Sequence, residues 1–263
     1  MPHISFSELK NWQRCPHYHK LVHLDKLKGF EGNEHTAFGT AVHDVCEQMV
    51  LAGDDTSSVE LFEKRFLKAL QALPGKLKGN LNKKLVTDMR QQGKEIVVLV
   101  LDAVKEYFGS YEVISTEEML MQPIEEFPDK KYSFKGFIDL VVKTPDGKYH
   151  IIDWKTCSWG WDSRRKTEPM TTYQLTFYKH YFAKRHGIDP EDIETHFALL
   201  KRTTTKNRIE FFRVTSGPIK TNNAVNFLKK ALYNITNQKY VKNRLACQNK
   251  FGTCEFYNTE HCR

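Results

Sequence analysis

Towards the C-terminal end of the chain, Ala224, Phe227, Leu228, Ala231, Leu232 and Ile235 recur at the 3.6-residue spacing of an amphipathic helix. Ser216 and Pro218 are suitable residues to open it. At the other end, Ser5 followed by Glu8 has the form of a capping box for a first helix, which Pro16 should end or bend. A second helix is predicted over 39–52 and is stopped by Gly53. Ser57 and Glu60 open a third, running to about 72. The basic stretch 73–82 carries Pro74, Gly75 and Gly79 and reads as a loop. A long helix is predicted over 85–108. Residues 1–110 are therefore expected to be helical apart from loops.

After that the pattern changes. Segments 113–124, 132–143 and 148–155 are rich in β-branched and apolar residues and read as strands. Thr144-Pro145-Asp146-Gly147 supplies turn chemistry for a hairpin between the last two. A helix follows over 171–184, then strands over 196–201 and 208–214. The tail from Gln238 shows no periodicity. This order predicts an α/β fold: a mixed-sheet core over 111–215, a helical portion over 1–110, and a C-terminal helix and tail over 216–263, together forming one integrated domain.

Composition adds a bias rather than an answer. A net charge of +8 and a pI near 9.0 favour a polyanionic partner such as nucleic acid, and are equally compatible with a merely basic protein. Ser5, Ser7 and Glu8 stand where a secretory leader would be apolar, and no run of about 18 apolar residues exists. The expectation is a cytoplasmic protein with no membrane partner. In that setting the six cysteines are expected to be thiols, and clustered ones read as metal ligands before disulfides.

The chemistry is concentrated in two strands. One carries Gly136-Phe137-Ile138-Asp139 and the next Ile151-Ile152-Asp153-Trp154-Lys155-Thr156. Alternation along a strand sends Asp153 and Lys155 to one face and Ile152 and Trp154 to the other. Asp139 sits on the neighbouring hairpin strand, within reach. Two carboxylates can hold Mg2+ or Mn2+, and an ammonium beside them can stabilise charge developing on a phosphate. An isolated Asp-x-Lys is commonplace on an exposed sheet edge. Here an apolar strand encloses it, and the Gly-x-Ile-Asp partner precedes it.

Further motifs fall in a fixed order around this pair. They are Ser5-Phe6-Ser7-Glu8-Leu9, Cys15-Pro16, Gly39-x-x-x-His43 and Gln174-x-x-x-Tyr178. The ordered set resembles the RecB-like nucleases of the PD-(D/E)XK superfamily, which include CRISPR-associated RecB-like exonucleases and many phage-encoded enzymes. The resemblance implies a restriction-endonuclease-like fold and a Mg2+- or Mn2+-dependent deoxyribonuclease, an exonuclease acting on single-stranded or end-processed DNA. It also leaves room for a protein partner in recombination, replication or CRISPR adaptation. Carried over by position, it makes His43, Asp139, Asp153 and the Trp154 carbonyl metal ligands and Lys155 the catalytic lysine. Gln174 and Tyr178, which share one helix face, become supporting catalytic residues. Glu47, one turn after His43, can reach the same cleft. Glu118 reads as a surface carboxylate.

The resemblance further implies a [4Fe–4S] cluster on Cys15, Cys247, Cys254 and Cys262, although the C-terminal spacing is wider than is usual in the family. Zinc on the same thiolates, or no metal at all, stays open. Cys46 reads as a core residue and Cys157 as incidental. Arg164, Arg165 and Lys166 lie in a Trp-rich loop, with Trp159 and Trp161, and are candidates for holding DNA. Two other classes compete with a nuclease: a non-catalytic nucleic-acid-binding or scaffold protein on the same fold, and a hydrolase or metal protein without a nucleic-acid partner. The intact Asp139, Asp153 and Lys155 weigh against the first, and the charge and motif order against the second.

Overall fold

The computed structural model describes residues 2–127, 132–249 and 252–263. The chain divides into two compact units, each assembled from separate stretches of sequence. The first comprises 1–31, 120–136 and 217–263; the second comprises 32–119 and 137–216.

The first unit opens with a short strand, β1 (His3–Ser5), followed by α1 (Phe6–Arg14) and α2 (Pro16–His19). The expected capping box is present: Ser5 Oγ accepts from the Glu8 N–H, and Glu8 accepts from the Ser5 N–H. Pro16 ends α1 and begins α2. The strand β1 was not expected. It is only three residues long and pairs in parallel with Ser133–Lys135, a contact that no local pattern reveals. The helix α10 (Pro218–Thr236) buries the predicted stripe of Ala224, Leu228, Ala231, Leu232 and Ile235.

The second unit begins with α3 (Glu34–Ala52), α4 (Ser58–Ala72), the single turn α5 (Gly75–Lys78), α6 (Lys83–Val97) and α7 (Val100–Phe108). Gly53 ends α3 at φ 67°, as expected of a left-handed C-terminal residue. The long helix predicted over 85–108 is two helices, broken at Val98 and Leu99. Both of these apolar residues are exposed there.

The strands are β2 (Glu112–Pro123), β3 (Ser133–Lys143), β4 (Tyr149–Cys157), β5 (Ile193–Lys201) and β6 (Ile209–Arg213), with α8 (Ser163–Thr167) and α9 (Pro169–His186) between β4 and β5. In the second unit the order is β3-β4-β5-β6, antiparallel, parallel, then antiparallel. The turn between β3 and β4 places Gly147 at φ 88° and closes with the Thr144 N–H donating to the Lys148 carbonyl. Ile152 and Trp154 enter a core shared with Phe38, Val42, Phe62, Val97 and Val104 of the helices. The opposite face of β4 therefore carries Asp153 and Lys155, as alternation requires. The result is the α/β mixed-sheet fold expected from the sequence.

Among the described residues, no helix is long and apolar enough to cross a membrane.

Candidate active site

The backbone register of β3 and β4 runs from Lys143↔Tyr149 to Leu140↔Ile152. Beyond that pair, the Trp154 N–H donates to Oδ2 of Asp139 at 2.8 Å rather than to a carbonyl. A side chain takes over from the ladder, which fixes Asp139 against β4. His43 of α3 reaches the same oxygen, with Nδ1 3.6 Å away. Gly39, one turn before His43, lies close to β4: a Cβ there would meet Thr156 Oγ1 at 3.4 Å.

On the other carboxylate, Lys155 Nζ is 2.5 Å from Oδ2 of Asp153. Gln174 Nε2 donates to Asp153 Oδ1 at 2.8 Å and approaches the Tyr178 hydroxyl at 3.0 Å. Gln174 and Tyr178 are one turn apart on α9, so one helix face fixes both. Pro169 begins this helix and Gly187, at φ 65°, ends it.

The electrostatics are those of crowded, buried acids. Burial pushes the Asp139 and Asp153 carboxyls up to about 6, even though Lys155 pulls both down. Burial, reinforced by Glu117 and Asp139, raises Glu47 to about 9. Burial and the nearby Lys155 lower His43 to about 4, so its ring is neutral and can donate an electron pair. For Lys155, burial opposes the charge, but Asp153 and Asp139 outweigh it and raise its pKa. Burial also raises the Tyr178 phenol, which stays protonated.

His43, Glu47 and Asp139 each offer one ligand atom, and these atoms lie within 4.8 Å of one another. Oε1 of Glu47 is buried with no hydrogen-bond partner. Two carboxylates, one with an unsatisfied buried oxygen, and a neutral imidazole fit a divalent cation. Glu47, which the sequence suggested only by its spacing from His43, belongs to this compact group. Asp153 is engaged instead by Lys155 and Gln174. Trp154 buries its indole in the core and offers its N–H to Asp139.

Sequence reasoning missed Glu117. It adopts φ 48° inside β2, and its carboxyl hydrogen-bonds to Glu47. Its neighbour Glu118 faces elsewhere, accepting from His186 Nε2 and Ser115 Oγ, each at 2.7 Å. The Glu-Glu pair was visible in the sequence, but the left-handed residue that decides which of the two reaches the site was not.

The basic segment after β4 differs from the expected loop. Residues Ser163–Thr167 form α8, capped by Asp162, whose Oδ1 accepts from the Arg165 N–H at 2.7 Å. Trp161 is buried against Phe197 and Phe212, whereas Trp159 is 76% exposed. Arg164 and Arg165 are exposed, with Arg165 over the Trp161 ring. Lys166 is paired with Glu210.

In the first unit, Cys15, Cys247, Cys254 and Cys262 are free thiols lining one cavity. The Asn243 N–H points at Cys15 Sγ, 3.4 Å away, and the Cys254 N–H donates to the Cys247 carbonyl. Cys46 is fully buried in the core of the second unit, and Cys157 ends β4.

Residues 3–263 match the family described as the PD-(D/E)XK nuclease superfamily. The chain belongs to that superfamily. A nuclease is therefore the activity its family specifies. Among solved structures, this PD-(D/E)XK chain resembles a protein from Eubacterium rectale named "Putative exonuclease". That likeness has 14% identity and a TM-score of 0.55, and covers 89% of this chain and 80% of the other. At that identity it bears on the fold alone. A protein called SSO0001 aligns at 16% identity over 95% of this chain and 92% of its own, with a TM-score of 0.39, too low to carry an argument. No curated protein matches the chain.

Proposed function

We propose that this nuclease is a Mg2+- or Mn2+-dependent deoxyribonuclease of the RecB-like kind, working as an exonuclease on single-stranded or end-processed DNA. The observation that carries the reading is the pair of linked networks, His43–Asp139–Trp154 and Lys155–Asp153–Gln174–Tyr178, converging on one pair of strands.

His43, Glu47 and Asp139 would hold the cation, joined by Asp153 and the Trp154 carbonyl. When bound, the cation neutralises the scissile phosphate and makes a bound water easier to deprotonate. Lys155 is the group that faces developing charge. Its ammonium is favoured by two carboxylates, so it acts as a cation and hydrogen-bond donor rather than as the base. Gln174 holds Asp153 in place and Tyr178 braces Gln174 through a hydroxyl that keeps its proton, so both are positioning residues.

DNA is the partner favoured by the net charge of +8, which supplies phosphate attraction. The exposed Arg164 and Arg165 are placed to hold phosphates, and Trp159 to stack a base. Exonuclease action is what the resemblance to the RecB-like exonucleases implies. Lys166, which the sequence grouped with the two arginines, is committed to Glu210.

A [4Fe–4S] cluster on Cys15, Cys247, Cys254 and Cys262 completes the proposal. The four thiols line one cavity of the first unit, which supports a shared metal centre on them.

The test is a substrate panel: single- and double-stranded DNA and RNA of one sequence, labelled at either end, incubated with Mn2+. Stepwise shortening of DNA from an end is expected. Internal cuts only, or cleavage of RNA in preference to DNA, would overturn the corresponding part of the reading.

A further inference from the structure

The face of β4 opposite Asp153 and Lys155 carries a second group of potential ligands. The parallel register of β4 and β5 pairs His150 with Glu194 and Ile152 with His196. His150 on β4 and Glu194 and His196, two residues apart on β5, therefore fall on one face. Their donor atoms converge. His150 Nδ1 is 3.1 Å from His196 Nε2, and Oε2 of Glu194 is 3.7 Å from the first and 3.8 Å from the second. Both imidazoles are buried, at 8% and 2% exposure.

We propose that His150, Glu194 and His196 bind a zinc-class divalent cation at a site separate from the nuclease centre. Three features of the group support it. The first is size. Tetrahedral ligands about 2.05 Å from a metal lie about 3.3 Å from one another. The observed edges of 3.1, 3.7 and 3.8 Å bracket that value.

The second is the outer partners. A metal-bound histidine ordinarily holds its other ring nitrogen on an oxygen, and a metal-bound carboxylate is itself hydrogen-bonded. Thr144 Oγ1 lies 2.9 Å from His150 Nε2, and the Tyr107 hydroxyl 3.3 Å from His196 Nδ1. Arg213 Nη2 is 2.9 Å from Oε1 of Glu194. Each ligand is thus held from behind, and the atoms left over are the ones that face one another.

The third is donor type. Two imidazoles and one carboxylate suit Zn2+ and its late first-row neighbours better than Mg2+ or Ca2+, which prefer all-oxygen sets. The group also differs from the Glu47–Asp139–His43 set, where carboxylates predominate. All three residues line a cavity with Phe108, Pro145 and Asp146, so a fourth position can be filled by water. A cation there would clip β4 to β5 beside Tyr107 of α7, a structural role independent of DNA cleavage.

The competing account is a simple hydrogen bond between the two imidazoles, and metal counting separates them. Chelator-treated protein is titrated with Zn2+ in excess Mg2+, and bound zinc is measured together with the unfolding temperature. Co2+ in place of Zn2+ tells nitrogen and oxygen ligation from thiolate ligation, because only the latter gives an intense sulfur-to-metal charge-transfer band. Wild-type protein is expected to gain one zinc that His196→Ala lacks, and to show a Co2+ spectrum at that site without the thiolate band. Zn2+ should raise the unfolding temperature of wild type only. His196 is buried, so Glu194→Gln provides a gentler variant. It should fold normally and bind that zinc about tenfold or more weakly. Unchanged zinc content and affinity in Glu194→Gln, or in folded His196→Ala, would overturn the proposal. So would a wild-type protein whose zinc is bound entirely through thiolates.

Discussion

The Trp154 N–H donates to Oδ2 of Asp139 at 2.8 Å, just past the last described backbone pair between β3 and β4, Leu140 with Ile152. This contact binds one carboxylate of the site to the strand that carries the other. It also leaves Oδ2 of Asp139 shared with His43, so the position of this oxygen is set from two elements.

Gln174 and Tyr178 should differ in their effect on cleavage. Gln174 bonds Asp153 directly, whereas Tyr178 acts only through Gln174. Gln174→Ala is expected to lower kcat by about 10- to 100-fold, the usual loss for a support of this kind, and Tyr178→Phe by less. Steady-state kinetics on a labelled DNA decides the order. A larger loss in Tyr178→Phe would mean the hydroxyl touches the substrate itself.

The pH dependence of stability should carry the signature of Asp139. Burial raises its carboxyl from 3.8 to about 6. Between those values the folded chain keeps a proton that the unfolded chain has lost, so this group makes stability fall as pH rises through the window. Without divalent metal, Asp139→Asn avoids that cost. The variant should gain on wild type by up to about 3 kcal/mol on going from about pH 4 to pH 7. Mn2+ should reverse the order at pH 7, since it binds the ionised carboxylate. Denaturant melts at the two pH values check this. A difference between the proteins that does not change with pH would contradict the electrostatic account.

Gly93 of α6 is a packing position. A Cβ there would meet the Phe62 ring, its nearest atom 2.0 Å away. Alanine is the better helix former by about 1 kcal/mol, but overpacking a close-packed core costs about 1–3 kcal/mol. Gly93→Ala is therefore expected to lower stability by up to about 2 kcal/mol, with specific activity per folded molecule unchanged. A stabilised variant in a denaturant melt would show that Phe62 can yield.

The cysteines should divide by location. Protein purified without oxygen is expected to be brown, with about four irons per chain, and Cys254→Ser should bleach it and lower stability. Cys46→Ser and Cys157→Ser should keep the colour, because both lie outside the unit that holds the other four. Burial also pushes the Cys46 and Cys157 thiols up, which keeps them protonated. Colourless protein with one equivalent of zinc would replace the cluster with a structural zinc site.

Alternation along β4 was enough to separate Ile152 and Trp154, in the core, from Asp153 and Lys155, at the site. The end signals of α1 and α3 were equally readable in Ser5, Glu8 and Gly53, because capping is local chemistry. What escaped was non-local or depended on a single dihedral angle. Glu117 reaches Glu47 through a left-handed residue within a strand, where period-two reasoning fails. The break at Val98 and Leu99 carries no glycine or proline to announce it. The Trp161 loop folds as α8 because Asp162 caps it, a signal present in the sequence but outweighed by the aromatic and basic residues around it. His150, Glu194 and His196 become neighbours only through the β4–β5 register.

In the proposed function, Asp153 and Lys155 perform metal-assisted cleavage of DNA. The most direct test of this role is end-labelled DNA incubated with wild type, Asp153→Ala and Lys155→Ala, in Mn2+ and in excess chelator, with binding measured in parallel. Wild type is expected to cleave only with Mn2+. Each variant is expected to lose about 100-fold or more in rate, with DNA affinity nearly unchanged, because affinity rests on phosphate contacts elsewhere. Wild-type rates in either variant, or full activity in chelator, would rule out this role for the two residues.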